Sequence, residues 1–409
     1  MSDETNISKQ VFMTSARTDL WKYIVLLTLA TASLHPDIFS WFWAILLLMA
    51  LLDWPRLFSR SQGSALLPTE TIWLVAFGPL LIAYMASALI HSLTIGRIEA
   101  LEPVLGGALL AAALERREQL RFDWLVHGSA LGGLAAAGLV AVEILVFNES
   151  RAGMQHQPIN FGMACGAFLL ILVIYLQNNA NKYFLWTAVA CSIGLIGSGS
   201  RGPILAFFIC ILALVAIKRP MSRPPPDRRR QWVIGFLLLG FTAFWVIQKR
   251  FLGDLQLGES SSVSTRWQLI EVSLQQILLT PFVGIGADQG GKFFAAFSAP
   301  IQTLNHAHMT VLNLALELGV FGALAWLWGF GVMLYLFWKL YKKNPYSEIG
   351  MTGMLITAYI FICSMTQDLM SHAFNRRFFS MMLVFLFVLL SFERKRTSQA
   401  EKHGSRLQK

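Results

Sequence analysis

Three short polar stretches interrupt an otherwise apolar chain, and each carries side chains that could bind an anion or move a proton. They are Gly197-Ser198-Gly199-Ser200-Arg201-Gly202, Ser264-Thr265-Arg266 and Asn305-His306-Ala307-His308. Each precedes a run that reads as a helix, so each sits where free N–H groups and the positive end of the helix dipole gather. A guanidinium at such a terminus suits phosphate oxygens, because the forked cation and the backbone donate together. Pro203 favours a helix start directly after Arg201 and Gly202. Thr265-Arg266-Trp267-Gln268 fits a capping box, which predicts Arg266 at the first helical position. Asn305 is a natural N-cap for the run that follows the histidines. A histidine near that terminus is held neutral by the dipole, and a neutral imidazole accepts a proton, as a general base must.

Each stretch also has a plainer reading. Arg201 alone could be an arginine reaching to lipid headgroups, although at mid-membrane it would cost about 2.5–3.5 kcal/mol without a partner. Arg266 alone would suit a headgroup contact, and the two histidines could bond to backbone. His306 and His308 suggest a metal pair, but no third histidine or nearby acid completes it. Asp254, Glu259, Glu271 and Asp288 are scattered, so no metal and no cofactor is expected. Two further clusters could extend a pocket or be ordinary polar loops. One is Arg151, Gln155, His156 and Asn160; the other is Asp368, His372, Arg376 and Arg377. Cys165, Cys191, Cys210 and Cys363 all fall in apolar runs without CxxC spacing, which reads as packing.

The elements that must position these residues are membrane helices. Of 409 residues 55% are hydrophobic and only 14% charged, against about 25% charged in soluble domains; the mean hydropathy is +0.56. Apolar runs near the length that crosses a bilayer, about 20 residues, recur throughout. The runs fall at 20–35, 37–53, 71–91, 98–114, 124–147, 159–177, 183–198, 203–217, 231–249, 309–338, 349–367 and 374–392. The expectation is an all-α polytopic membrane protein with about 12 transmembrane helices. Residues 1–249 hold the first nine, 250–305 form an outer loop, 306–392 hold the last three, and 393–409 are a basic tail. The polar start lacks the basic flank and cleavage site of a signal peptide, so the first span is expected to remain as an anchor.

With both termini in the cytoplasm, the inner segments carry 24 of the 33 Lys and Arg residues. The richest are Lys218 to Arg230, Glu115 to Arg121, Lys339 to Lys343 and the tail from Glu393. That bias orients the chain and puts all three polar stretches outside. It also accounts for the net charge of +10 through membrane lipids, without nucleic acid. The outer loop is too long to be structureless without a function. It contains an amphipathic helix with Trp267, Ile270, Leu274, Ile277 and Leu278 on one face, stopped by Pro281 and suited to the membrane surface.

Together SGSRGPILAF (198–207), STRWQLIEVSLQQILLTPFVGIG (264–286) and HAHMTVLNLALELGVFG (306–322) resemble the O-antigen ligase and O-antigen polymerase superfamily. The order of the blocks, the outer loop between them and the twelve-span layout fit as well. The resemblance implies a metal-independent, inverting glycosyltransferase of GT-C-like architecture in the bacterial inner membrane. Its active site would face the periplasm. The donor would be a glycan on undecaprenyl diphosphate and, in the ligase branch, the acceptor a lipid A-core sugar. Arg201 and Arg266 match the family's two diphosphate arginines. His308 best matches the family histidine that acts on the acceptor, with His306 a rival because Met309 replaces the usual asparagine. A polymerase, a protein O-oligosaccharyltransferase and, from another class, a lipid-linked glycan transporter remain open on these residues.

Overall fold

In lipid a backbone must satisfy its own N–H and C=O groups, and an α-helix does so within one segment. The computed structural model describes residues 19–53, 68–91, 101–117, 120–147, 157–179, 181–217, 262–297 and 301–407, and every regular element among them is helical. The expected span 231–249 lies outside the described residues, as do Arg151, Gln155 and His156.

The first half runs as α1 (19–31), α2 (Pro36–Leu52), α3 (Thr69–Ile90), a π-helical turn Glu102–Gly106 leading into α4 (Gly107–Arg117), and α5 (Phe122–Val140). Next come α6 (Pro158–Asn178), α7 (Lys182–Gly197), α8 (Arg201–Ala216), α9 (Ser262–Leu279) and the short α10 (Gly290–Phe294). The chain then forms α11 (Thr310–Leu318), α12 (Val320–Lys343), α13 (Glu348–Ser364) and α14 (Ala373–Leu407). Among the described residues five helices are long and apolar enough to cross a membrane: α3, α5 with its extension to Ile144, α6, α12 and the first part of α14. Helices α2, α7, α8 and α13 are apolar but shorter. The chain is a polytopic membrane protein.

Burial follows from neighbours rather than from hydropathy. Helix α6 is 89% buried over its apolar window and the apolar part of α14 83%, so both run through the middle of the bundle. Helix α6 packs on α5, α7, α8 and α13, while α3 packs on α12 and α14, and α4 on α14. By contrast Trp41, Leu89, Trp186 and Leu212 stand out from α2, α3, α7 and α8 as a lipid-facing surface. Carboxylates tie α14 to its neighbours at two levels. Glu102 accepts from Arg377 Nε at 2.6 Å and from Trp43 Nε1 at 2.9 Å. Glu115 accepts from Lys395 Nζ at 2.9 Å, Ser391 Oγ at 2.7 Å and the Thr69 N–H at 2.7 Å.

Two expectations are corrected. The run 309–338 is two helices, α11 and α12, broken at Gly319. Gly319 has φ 73°, and a Cβ there would stand 2.4 Å from the Phe282 carbonyl oxygen. The close passage of 281–283 therefore demands the break, which hydropathy cannot register. The second correction concerns α9. It already runs from Ser262, so Thr265 does not cap it and Arg266 lies within the helix. The residues before Thr265 include neither Gly nor Pro back to Ser262, so nothing halts the helix at the proposed box.

Helix α9, the turn Ile301–Thr303, the histidine stretch and α11 share a small apolar core of Leu269, Phe294, Ile301, Ala307 and Leu316, separate from the main one. On the other side of α9, Trp267, Leu274 and Leu278 remain exposed, as an apolar face at a membrane surface would be.

Candidate active site

Arg201 is the first residue of α8, with Ser200 at its N-cap and no side-chain cap bond. Its position depends on Gly202, because a Cβ there would lie 2.2 Å from Thr366 Oγ1. Only glycine lets the start of α8 press against the segment 365–372 that follows α13. Arg266 approaches from α9. Although exposed at its surface, its guanidinium is held below the usual arginine range, first by lost hydration and then by the charge of Arg201. Two cations thus share one partly dehydrated space, an arrangement that a bound anion relieves.

The histidines do not begin a helix. Helix α11 starts at Thr310 with Met309 as N-cap, so Asn305 does not cap it, which corrects the expected role of that asparagine. Buried Asn313 reaches back instead, its Oδ1 accepting the Ala307 N–H at 3.1 Å. That bond holds 306–308 as a turn, and His308 takes the left-handed backbone with φ 54°. A non-glycine residue in that region costs of the order of 1 kcal/mol, and such strain gathers at functional sites. The His306 and His308 rings lie 4.6 Å apart, and His306 stands 5.2 Å from His372. His306 Nε2 is buried with no hydrogen-bond partner among the described residues.

The segment 365–372 closes the other side. Thr310 Oγ1 donates to the Gln367 carbonyl at 3.0 Å and accepts the Leu369 N–H at 2.9 Å, so it grips the backbone on both sides of Asp368. Gln367 Nε2 donates to Asn160 Oδ1 at 3.2 Å, anchoring the segment to α6. Fully buried Asp368 accepts from the Met370 N–H at 3.0 Å and from Ser371 Oγ. Arg376 donates to the Met370 carbonyl.

The protonation states follow from this crowding. Burial lowers His306 to about 4, helped by the charge of His372. Burial also lowers His308 to about 4, with His306, Arg266 and His372 adding to the shift and Asp368 opposing it. His372 is lowered by burial, against the pull of Asp368. Asp368 is raised because burial outweighs its hydrogen bonds. At neutral pH the imidazoles of His306 and His308 are therefore uncharged, with Arg266 near His308.

The structure thus brings Arg201, Arg266, His306, His308, Asp368, His372 and Arg376 into one neighbourhood. Arg377 turns away to Glu102. Sequence reasoning passed over Thr310, Asn313, Gln367 and Glu317, which set the backbone around the site. Polar residues inside apolar runs were the available signal. Among the described residues, no group of three or more His, Cys, Asp or Glu side chains is arranged to hold a metal.

No curated protein matches the chain. Residues 186–327, which take in Arg201, Arg266 and both histidines, match the family described as O-antigen ligase, which is consistent with the O-antigen ligase and polymerase superfamily.

Proposed function

We propose that the protein is an O-antigen ligase of the bacterial inner membrane. It transfers a glycan from undecaprenyl diphosphate to a lipid A-core sugar on the periplasmic face, with both termini in the cytoplasm. The observation that carries this reading is the position of Arg266, a partly dehydrated cation close enough to Arg201 and to His308 for charge to act between them. A diphosphate supplies the negative charge that such a space lacks.

In this reading Arg201, Arg266 and the start of α8 hold the diphosphate and stabilise charge growing on its leaving oxygen. The acceptor hydroxyl oxygen attacks the anomeric carbon from the opposite face. The bond from that carbon to the diphosphate breaks, its electron pair stays with the diphosphate, and the configuration inverts. His308 receives the hydroxyl proton. The left-handed backbone of His308 and its electrostatic contact with Arg266 favour it over His306, whose Nε2 is buried. A free His308 near 4 is a weak base. Bound diphosphate offsets the arginine charge and raises its basicity, so donor binding prepares the base before the acceptor reacts.

Reconstitution with undecaprenyl-diphosphate glycan and lipid A-core in the presence of a chelator tests the reading. One glycan on the core supports a ligase. Chains lengthening on the carrier would make the protein a polymerase, and donor crossing the bilayer without acceptor would make it a transporter.

A further inference from the structure

Glu317 sits next to the last residue of α11 with 3% of its surface exposed. Its Oε2 accepts the Asp288 N–H at 3.2 Å and its Oε1 accepts the Gly290 N–H at 3.3 Å. The backbone adds to the same grip. The Glu317 carbonyl accepts the Gly286 N–H at 3.0 Å, and the Leu316 carbonyl accepts the Ile285 N–H at 2.9 Å. Asp288 has φ 57°, the left-handed turn that aims neighbouring N–H groups into a shared hollow. Here a carboxylate fills that hollow.

The clamped loop joins the two halves of the site. It follows α9, which carries Arg266, after only the four residues 280–283. Its far end presses on the segment just before His306: a Cβ on Gly290 would meet the Asn305 carbonyl oxygen at 2.8 Å and Glu317 Oε1 at 3.0 Å. Helix α11 completes the ring, with Glu317 near one end and His308 just before the other. Moreover, α9 packs directly against α11.

We propose that Glu317 is a positioning residue whose carboxylate clamps the 284–291 loop and thereby sets the spacing between Arg266 and His308. The inference rests on the reading of those two residues as the donor and acceptor groups of one reaction. Its function is geometric, since the carboxylate is occupied by backbone N–H groups.

Hydrogen exchange of the full-length protein in lipid nanodiscs, resolved by peptide, reads the clamp without any substrate. In Glu317→Gln one carboxylate oxygen becomes an NH2 group facing a backbone N–H. Exchange over 284–291 and over the histidine turn 304–309 is expected to rise about tenfold or more, with α3 and α6 unchanged. Gly290→Ala, which wedges the same contact and keeps the carboxylate, should act in the same direction and serves if Glu317→Gln does not fold. In the transfer assay, kcat of Glu317→Gln should drop about 10²-fold with donor KM changed only a few-fold. Unchanged exchange at 304–309, or raised exchange with unchanged kcat, overturns the proposal. An inactive wild type would instead contradict the proposed reaction, and the exchange data would still decide the clamp.

Discussion

A histidine near 4 and an arginine beside another arginine are costly for a folded protein, and the cost makes testable demands. Loss of one electrostatic donor to a leaving group typically slows a reaction about 10²–10³-fold. Arg201→Ala and Arg266→Ala should fall in that range at unchanged expression. Arg201→Lys should also be impaired, because a point charge cannot replace a fork. His308→Ala should cost about 10²–10⁴-fold, and His306→Ala less. For pH, the acid limb of kcat/KM reports the free protein and should lie near 4. The limb of kcat should lie higher, because bound diphosphate raises His308. Stability follows the same depressed values. The unfolded rings take up protons near 6.5 and the folded ones only near 4. Stability contributed by the neutral rings is thus complete above pH 6.5 and lost as pH falls toward 4, readable as a falling Tm. At this scale the sequence already displayed the arginines and histidines, since charge is conspicuous in apolar runs. It did not reveal Asn313 or Glu317, whose roles depend on backbone groups at 307, 288 and 290.

Elements show where hydropathy stops being informative. The spans at 37–53, 71–91, 159–177, 183–198, 203–217 and 349–367 correspond to α2, α3, α6, α7, α8 and α13 within a few residues. Apolar runs in lipid have little choice but to be helices. The break between α11 and α12 escaped notice because Gly319 is apolar and its neighbours keep the run going. Only the approach of Phe282 explains it. Gly319→Ala should therefore destabilise the 281–283 contact strongly, measured as lost thermal stability and raised exchange over 281–286. Gly202→Val should displace the start of α8 from Thr366 and cut transfer while α6 and α14 stay protected from exchange. The start of α9 departs from the sequence expectation for a similar reason. A capping box is a local signal, and a helix continuing from Ser262 overrides it.

At the scale of the whole molecule, a membrane bundle presents one end to a second, smaller core. The loop 281–291 is the joint: the Ala287 N–H donates to Ser87 Oγ at 3.1 Å, and His91 Nε2 meets the Val283 carbonyl at 3.3 Å, both at the end of α3. The same end gathers the start of α8, the histidine turn and the start of α14, so the site lies on one face of the bundle. In the proposed orientation, which rests on the charge bias, that face is periplasmic. Single cysteines at Gln275 and at Lys342, introduced after the four native cysteines are replaced, should react with an impermeant thiol reagent from opposite sides. The central claim, that two arginines and a histidine perform glycosyl transfer from a diphosphate carrier, is tested most directly in proteoliposomes containing carrier-linked glycan, lipid A-core and a chelator. The account predicts one glycan added to the core by the wild type, with the rate cut about 10²-fold or more in Arg201→Ala, Arg266→Ala and His308→Ala. Full-rate transfer by all three variants, or wild-type transfer that requires a divalent metal, would contradict it.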